Sequence, residues 1–148
     1  MLHKIWAAGL AVAALGWGGG FWITTHSGAS PLAAKIPGTA VVIAVEGCAN
    51  PKDATLAGTA EGLVGGRRQS VKLEFTPTSK PGVFAVKKQW PTEGVWVLSI
   101  TGAYVGHTSR QLVELLPNHQ YKAQPVIPKE NLAGRIEQAL RGLAGRAT

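Results

Sequence analysis

The sequence contains a single cysteine, Cys48, among its 148 residues. One thiol cannot form an intramolecular disulfide, and no Cys-x-x-Cys pair is present for a zinc site or for thiol exchange, so packing must stabilise the fold. Charged residues are also few, at 16% of the chain, and the net charge is +7. The basic residues are scattered with no run longer than two, so the chain lacks the dense basic patch on which nucleic-acid binding depends.

Turn-forming residues, in contrast, are frequent. The chain has 19 Gly and 9 Pro residues and is 45% hydrophobic. This composition supports one globular domain with a hydrophobic core, and it favours short strands separated by turns over a helical bundle. We therefore expect an all-β domain.

The N-terminal segment has the order of charge and hydrophobicity that is typical of an export signal. Lys4 is followed by an apolar, glycine-rich run over Ile5–Ile23. The small residues Ser27–Ala29 predict cleavage before Ser30, but the run also approaches the roughly 20 residues that span a bilayer. The segment is thus either a removed signal peptide or a retained anchor helix, and in both cases the rest of the chain lies outside the cytoplasmic membrane.

These signals divide the chain into four segments. They are a signal peptide or membrane anchor at 1–29, a proline-containing linker at 30–38, a β-sandwich at 39–127 and an amphipathic helix at 128–148. Turn signals in the third segment have the spacing that is typical of an immunoglobulin-like sandwich of about seven antiparallel strands. We expect this domain in the periplasm or cell envelope, anchored to the inner membrane by residues 5–23 if the first segment is retained.

Two parts of the predicted sandwich have specific patterns. The β-branched run within Thr39–Glu46 has the length and composition of a buried strand. Further along, Gly65-Gly66 has the form of a two-residue hairpin turn that leads into the alternating segment Gln69–Thr76. In that register Val71, Leu73 and Phe75 fall opposite Ala60, Gly58 and Leu56, so that large side chains face small ones.

A second hairpin is predicted at Pro81–Thr101, and the other strands are arranged around it. Its loop is Trp90–Gly94, a segment of hairpin length. We expect Trp96 to fill the space between the two sheets. The residues that share a face are Phe84 and Val86 in the first arm, and Trp96, Leu98 and Ile100 in the second.

Three features of this hairpin occur together: a Pro-Gly-Val-Phe step at Pro81–Phe84, a polar turn at Trp90–Gly94 and a Val-Trp-Val-Leu strand at Val95–Leu98. In this combination the chain resembles the YtkA-like and FixH-like extracytoplasmic β-sandwich families, in which a Pro-Gly-aromatic strand precedes a Gly-x-Trp-x-Leu strand. The resemblance implies a small envelope domain of a kind associated with metal handling or respiratory-complex assembly. The Met-rich segment of those families is missing here, because Met1 is the only methionine, and this argues against a copper role.

The C-terminal segment predicts an edge strand followed by a helix. Pro125 restricts the strand Tyr121–Ile127 to a sheet edge or to a short piece, and Glu130–Arg146 has helical periodicity interrupted by glycines. Its apolar stripe needs a cover, for which the candidates are the sandwich, a second copy of the chain or an anionic membrane. We expect protein contact, since the stripe is narrow and lacks an aromatic residue. Its members are Leu132, Ile136, Leu140 and Leu143.

One basic cluster contains an aromatic residue and is the first candidate for a binding site. Lys87, Lys88 and Trp90 have the chemistry to contact a glycan, an anionic lipid surface or an acidic partner. The competing interpretation is an exposed sheet face next to a tryptophan that caps the core, and it is the one favoured by the structural role of most aromatic residues in sandwiches.

Two other residue sets are alternatives. Cys48, His107 and His119 are ligand types for copper or zinc, although their spacing follows no ligand pattern. A hydrolase would use His107 with Ser109, oriented by Asp53 or a glutamate, but no nucleophile-elbow motif is present. We therefore predict a non-catalytic binding or accessory module without a cofactor, whose partner is an unidentified envelope protein or a second copy bound through the C-terminal helix.

Overall fold

The computed structural model describes residues 20–33, 35–126 and 129–148. These residues form two antiparallel sheets of four and five strands, with one α-helix at the C-terminal end. This confirms the predicted β-sandwich class and the C-terminal helix. The elements are β1 (Trp22–Ser27), β2 (Thr39–Glu46), β3 (Thr55–Val64), β4 (Arg67–Lys72), β5 (Phe75–Pro77), β6 (Val83–Lys87), β7 (Val95–Tyr104), β8 (His107–Leu115), β9 (Tyr121–Pro125) and α1 (Leu132–Arg146).

The strand order is β1-β2-β6-β5 in the first sheet and β4-β3-β7-β8-β9 in the second. The main hydrophobic core lies between the inner faces of the two sheets. β9 is an edge strand, as Pro125 predicted. Among the described residues, no helix has both the length and the apolar composition needed to span a membrane.

The predicted strand Thr39–Glu46 is confirmed as β2, and its central residues 40–45 are all apolar because both faces of the strand are covered. Val41, Ile43 and Val45 point into the main core. Val42 and Ala44 pack on the other face with Ala33, from the 3₁₀ turn Pro31–Ala33, and with Val83. Part of the predicted linker 30–38 therefore packs on the domain.

The sandwich begins earlier in the chain than residue 39, because β1 pairs along its whole length with β2. Phe21 and Ile23 are buried in the main core. Side chains of the second sheet hold the backbone of β1: Gln111 Nε2 donates to the Ile23 carbonyl (2.7 Å), and the Tyr121 hydroxyl donates to the Thr25 carbonyl (3.0 Å). This corrects the boundaries at 29 and 39, since cleavage before Ser30 would remove a strand. The rest of the predicted signal or anchor, residues 5–19, lies outside the described residues.

The Gly65-Gly66 hairpin is confirmed. Both glycines have positive φ (55° and 77°), as a two-residue turn requires, and Val71 pairs with Ala60. The Leu73 amide still donates to the Gly58 carbonyl (3.0 Å), but the chain then crosses to the first sheet. The predicted pairing of Phe75 with Leu56 is therefore wrong, because Phe75 pairs with Val86 in the first sheet.

The predicted hairpin at Pro81–Thr101 is also wrong, because its two arms belong to different sheets. β6 pairs with β2 and β5, whereas β7 pairs with β3 and β8. The connection at 88–94 thus crosses the thickness of the sandwich, about 10 Å. The assignment of the faces holds, since Val86 and Trp96 both point into the core between the sheets.

The C-terminal helix packs on the outer face of the second sheet. Leu140 and Leu143 of its predicted stripe are buried against Val97 and Leu112. Two ion pairs flank this contact, Arg146 to Glu114 at 3.1 Å and Arg68 to Glu137 at 2.9 Å. The expected protein contact is therefore made with the chain's own sandwich.

Candidate functional site

Four parts of the chain converge at one end of the sandwich and enclose an open groove. They are the end of β1 with the start of β2, the connection between β6 and β7, the turn between β8 and β9, and the last turn of α1. The groove has a volume of about 1170 Å³. We call this end of the molecule the groove end.

Side chains of two kinds line the groove. Trp90, Trp96 and Leu115 contribute aromatic and apolar surface, while Lys88 and Arg146 contribute positive charge. No carboxylate lines the groove within the part of the chain that the structure describes. The lining therefore suits a ligand that combines an apolar portion with negative charge.

Lys88 is the cation that such a ligand reaches most directly. Its ammonium group donates to the Thr92 hydroxyl (2.9 Å), a neutral partner within the same connection. Its backbone amide donates to the Gly38 carbonyl (3.0 Å), which fixes the start of the connection against the first sheet. Arg146, in contrast, is already paired with the buried carboxylate of Glu114. Lys88 is thus held in place without having its charge neutralised by that contact.

The predicted cluster of Lys87, Lys88 and Trp90 is only partly brought together. Lys88 and Trp90 both line the groove, whereas Lys87 is the exposed last residue of β6 and is not part of the lining. Trp90 is 7% exposed and belongs to the main core. It therefore has the core-capping role that the sequence favoured, and it presents little of its ring to a ligand.

Trp96 is positioned by a glycine on the neighbouring strand. Gly62 lies directly opposite Trp96 in the β3–β7 register, and the indole ring covers the space where a side chain at position 62 would lie. The ring nitrogen donates to the Glu93 carbonyl (2.9 Å). The same residue thus fills the core, as predicted, and fixes the β6–β7 connection that carries Lys88.

The turn between β8 and β9 holds His119 at the groove in a left-handed conformation. Asn118 and His119 have φ of 61° and 59°. Asparagine and histidine are both among the non-glycine residues that adopt this region most often. The turn is closed by the Leu116 amide, which donates to the Gln120 carbonyl (2.9 Å).

The alternative metal set is divided between the two ends of the molecule. His119 is at the groove end, whereas His107 begins β8 at the opposite end, where Cys48 follows β2. The nine residues of β8 extend over roughly 27 Å between these ends. Zinc ligands lie within about 2.3 Å of the metal. The three residues therefore cannot share one ion, and no cluster of three or more potential ligands occurs in the described ranges.

The alternative hydrolase set is likewise unconnected. The Ser109 hydroxyl accepts a hydrogen bond from the Ile23 amide (3.3 Å), and a carboxylate oxygen of Asp53 accepts one from the Asn50 side chain (2.7 Å). Among the described residues, no hydrogen bond joins His107 to either group. Ser109 thus has a structural contact that holds β1 in place.

Sequence reasoning missed most of the groove lining, including Tyr121 and Arg146. Tyr121 begins the edge strand and Arg146 ends the helix, so neither is near Lys88 in the sequence. No local pattern links the three, because they meet only through the packing of the two sheets and the helix.

Comparison with protein-family models, with curated proteins and with solved structures found no match to the chain.

Proposed function

We propose that this chain is an exported, non-catalytic β-sandwich of the cell envelope, which binds an acidic segment of a partner protein in the groove. The observation that carries the proposal is the groove lining, in which Lys88 stands beside aromatic and apolar side chains without any carboxylate among the described lining residues. An acidic side chain or a C-terminal carboxylate of the partner pairs with Lys88, while apolar side chains contact the half-buried Leu115 and Leu116.

Binding is favoured over catalysis by the composition of the same surface. His119 is the groove's imidazole, and among the described lining residues no carboxylate stands beside it to orient the ring. The remaining polar groups, such as the Thr92 hydroxyl and the Asn118 amide, are suited to hydrogen bonding with a peptide.

The proposed location follows from the order of Lys4 and the apolar run that begins at Ile5. Since β1 is part of the sandwich, we propose that the segment is either retained as an anchor or cleaved before Phe21. The resemblance to the YtkA-like and FixH-like families supports an envelope domain of immunoglobulin-like type. A C-terminal reporter that works only in the cytoplasm should be silent in cells, and an active reporter would contradict export.

Binding in the groove is tested with a fluorescein-labelled peptide of alternating Glu and Leu residues, by fluorescence anisotropy. Lys88→Glu should weaken binding by about tenfold, or ~1.4 kcal/mol, because it places a like charge beside the peptide carboxylates. Lys72→Glu is the matched control, since Lys72 is exposed on β4 outside the groove and the net charge changes equally.

Wild-type binding should also weaken as salt is raised, since the attraction is electrostatic. Equal losses in Lys88→Glu and Lys72→Glu would show non-specific charge attraction and contradict the groove as the site. Absence of binding to the wild-type chain would contradict the ligand class.

A further inference from the structure

The end of the sandwich opposite to the groove carries the exposed apolar surface. Among the described residues, two large hydrophobic side chains are exposed, Trp22 at 47% and Val105 at 76%. Trp22 is the first residue of β1, and Val105 lies in the turn between β7 and β8. We call this the Val105 end. The chain preceding Gly20 joins the sandwich at this end, because β1 runs from here toward the groove.

Val105 is an unusual residue for its position. The two-residue turn Val105-Gly106 has φ of 43° and 76°, a conformation that favours Asn-Gly and disfavours a β-branched residue. The side chain is also exposed, so it gains nothing from burial within the chain. Neither stability nor solubility accounts for a valine here, which suggests that its apolar side chain contacts something outside the sandwich.

A ring contact brings the two exposed residues into one region. Phe21 and Tyr104 are stacked with their centroids 5.9 Å apart. Trp22 and Val105 are the next residues along each of these segments. The Tyr104 hydroxyl also accepts a hydrogen bond from the Asn50 amide (3.2 Å), which joins the connection after β2 to the same region.

We propose that the Val105 end rests on the lipid bilayer, with the Val105 side chain in the interfacial region and the Trp22 ring at headgroup level. This inference rests on the proposed export, with the N-terminal segment retained in the membrane. Three features favour lipid as the occupant: the apolar run that begins at Ile5 leads into the sandwich at this end, tryptophan prefers the membrane interface, and exposed Lys52 and Lys80 lie on connections at the same end.

This orientation has a consequence for the groove. Because the strands run between the two ends, a sandwich that rests on its Val105 end presents Lys88 and His119 away from the bilayer. The groove then faces a partner in the aqueous space rather than one within the membrane.

The test uses the full chain with Cys48→Ser, so that one introduced cysteine can be labelled with the environment-sensitive dye NBD. The dye is placed at Val105→Cys or, as a matched control, at Asn118→Cys, which is also an exposed turn residue with positive φ but lies at the groove end. Each labelled chain is reconstituted into vesicles of phosphatidylethanolamine and phosphatidylglycerol. We expect a blue-shifted emission and quenching by doxyl-labelled lipid at 105, and neither at 118.

Three outcomes would overturn the inference. Identical, water-like spectra at 105 and 118, in chains that float with the vesicles, would show an anchored sandwich that does not touch the bilayer. A blue-shifted emission at 105 in the absence of lipid would show that protein covers the Val105 end. If the shift depends on protein concentration, the covering protein is a second copy of the chain; if it does not, residues 1–19 of the same chain cover this end. Failure of both chains to float with vesicles would refute the retained anchor and this inference with it. Circular dichroism of each labelled chain verifies that it is folded.

Discussion

The packing of Trp96 on Gly62 leads to a sharp prediction for the substitution Gly62→Ala. A Cβ atom at position 62 would lie 2.5 Å from ring carbons of Trp96. A Cβ atom essentially never approaches a non-bonded heavy atom within 3.0 Å, so the ring would have to move. The ring has little room to move, because Trp96 is 4% exposed and its ring nitrogen donates a hydrogen bond to the Glu93 carbonyl.

The magnitude follows from two opposing effects. Overpacking of a core costs about 1–3 kcal/mol. Replacing glycine by alanine in a compatible backbone offsets about 0.4–1 kcal/mol of this by lowering the entropy of the unfolded chain. We therefore expect Gly62→Ala to lower the free energy of unfolding by about 1–2 kcal/mol, measured by urea denaturation of the full chain with tryptophan fluorescence and circular dichroism.

Two further variants show whether the indole ring is the cause. Gly142→Ala is the matched control, because a Cβ built there on α1 has no atom within 4 Å apart from its chain neighbours and the adjacent helix backbone, and it should stabilise the chain by about 0.5–1 kcal/mol. Trp96→Ala alone should cost about 3–5 kcal/mol. In the Trp96→Ala background, Gly62→Ala should lose its cost, which is the signature of direct coupling. An unfolding midpoint for Gly62→Ala at or above that of the wild type would refute the reasoning.

The remaining predictions concern other parts of the chain. Val105→Asn should raise the free energy of unfolding by about 1 kcal/mol, because asparagine tolerates the left-handed turn; a lower midpoint in urea would show that the valine stabilises the turn. Cys48→Ser should leave metal content unchanged and stability within about 1 kcal/mol, since the thiol is only half-buried; a metal found by mass spectrometry in the wild type and lost in this variant would revive the metal alternative. Deleting residues 128–148 should lower the free energy of unfolding while the chain stays monomeric, because the deletion uncovers Val97 and Leu112. A monomer in light scattering whose stability in urea equals that of the full chain would contradict the docking of α1.

The sequence by itself determined the elements whose signals are local. The β-branched run of β2, the Gly65-Gly66 turn, the restriction of β9 by Pro125 and the helical stripe of α1 all have the predicted form. Each depends on side-chain periodicity or on the φ preference of one or two residues, and these are properties of neighbouring residues.

Only the tertiary structure decided which sheet each strand joins. The alternation of Val86 in β6 and of Trp96 in β7 is the same whether the two strands pair edge to edge or face each other across the core. The same holds for Phe75, which follows β4 in the chain but pairs in the other sheet. Likewise, the apolar run before residue 23 has no feature that marks where an export segment would end and β1 begins, because burial in a core and in a membrane select similar side chains.

The candidate site shows the same division. Lys88 and Trp90 were found from their proximity in the sequence, and the structure places both at the groove. Tyr121 and Arg146 could not be found in this way, because the start of an edge strand and the end of a helix reach Lys88 only after two sheets and a helix have packed. The sequence gives the chemistry of each side chain, but long-range packing determines which side chains lie close together. For this reason the groove could be identified only from the tertiary structure.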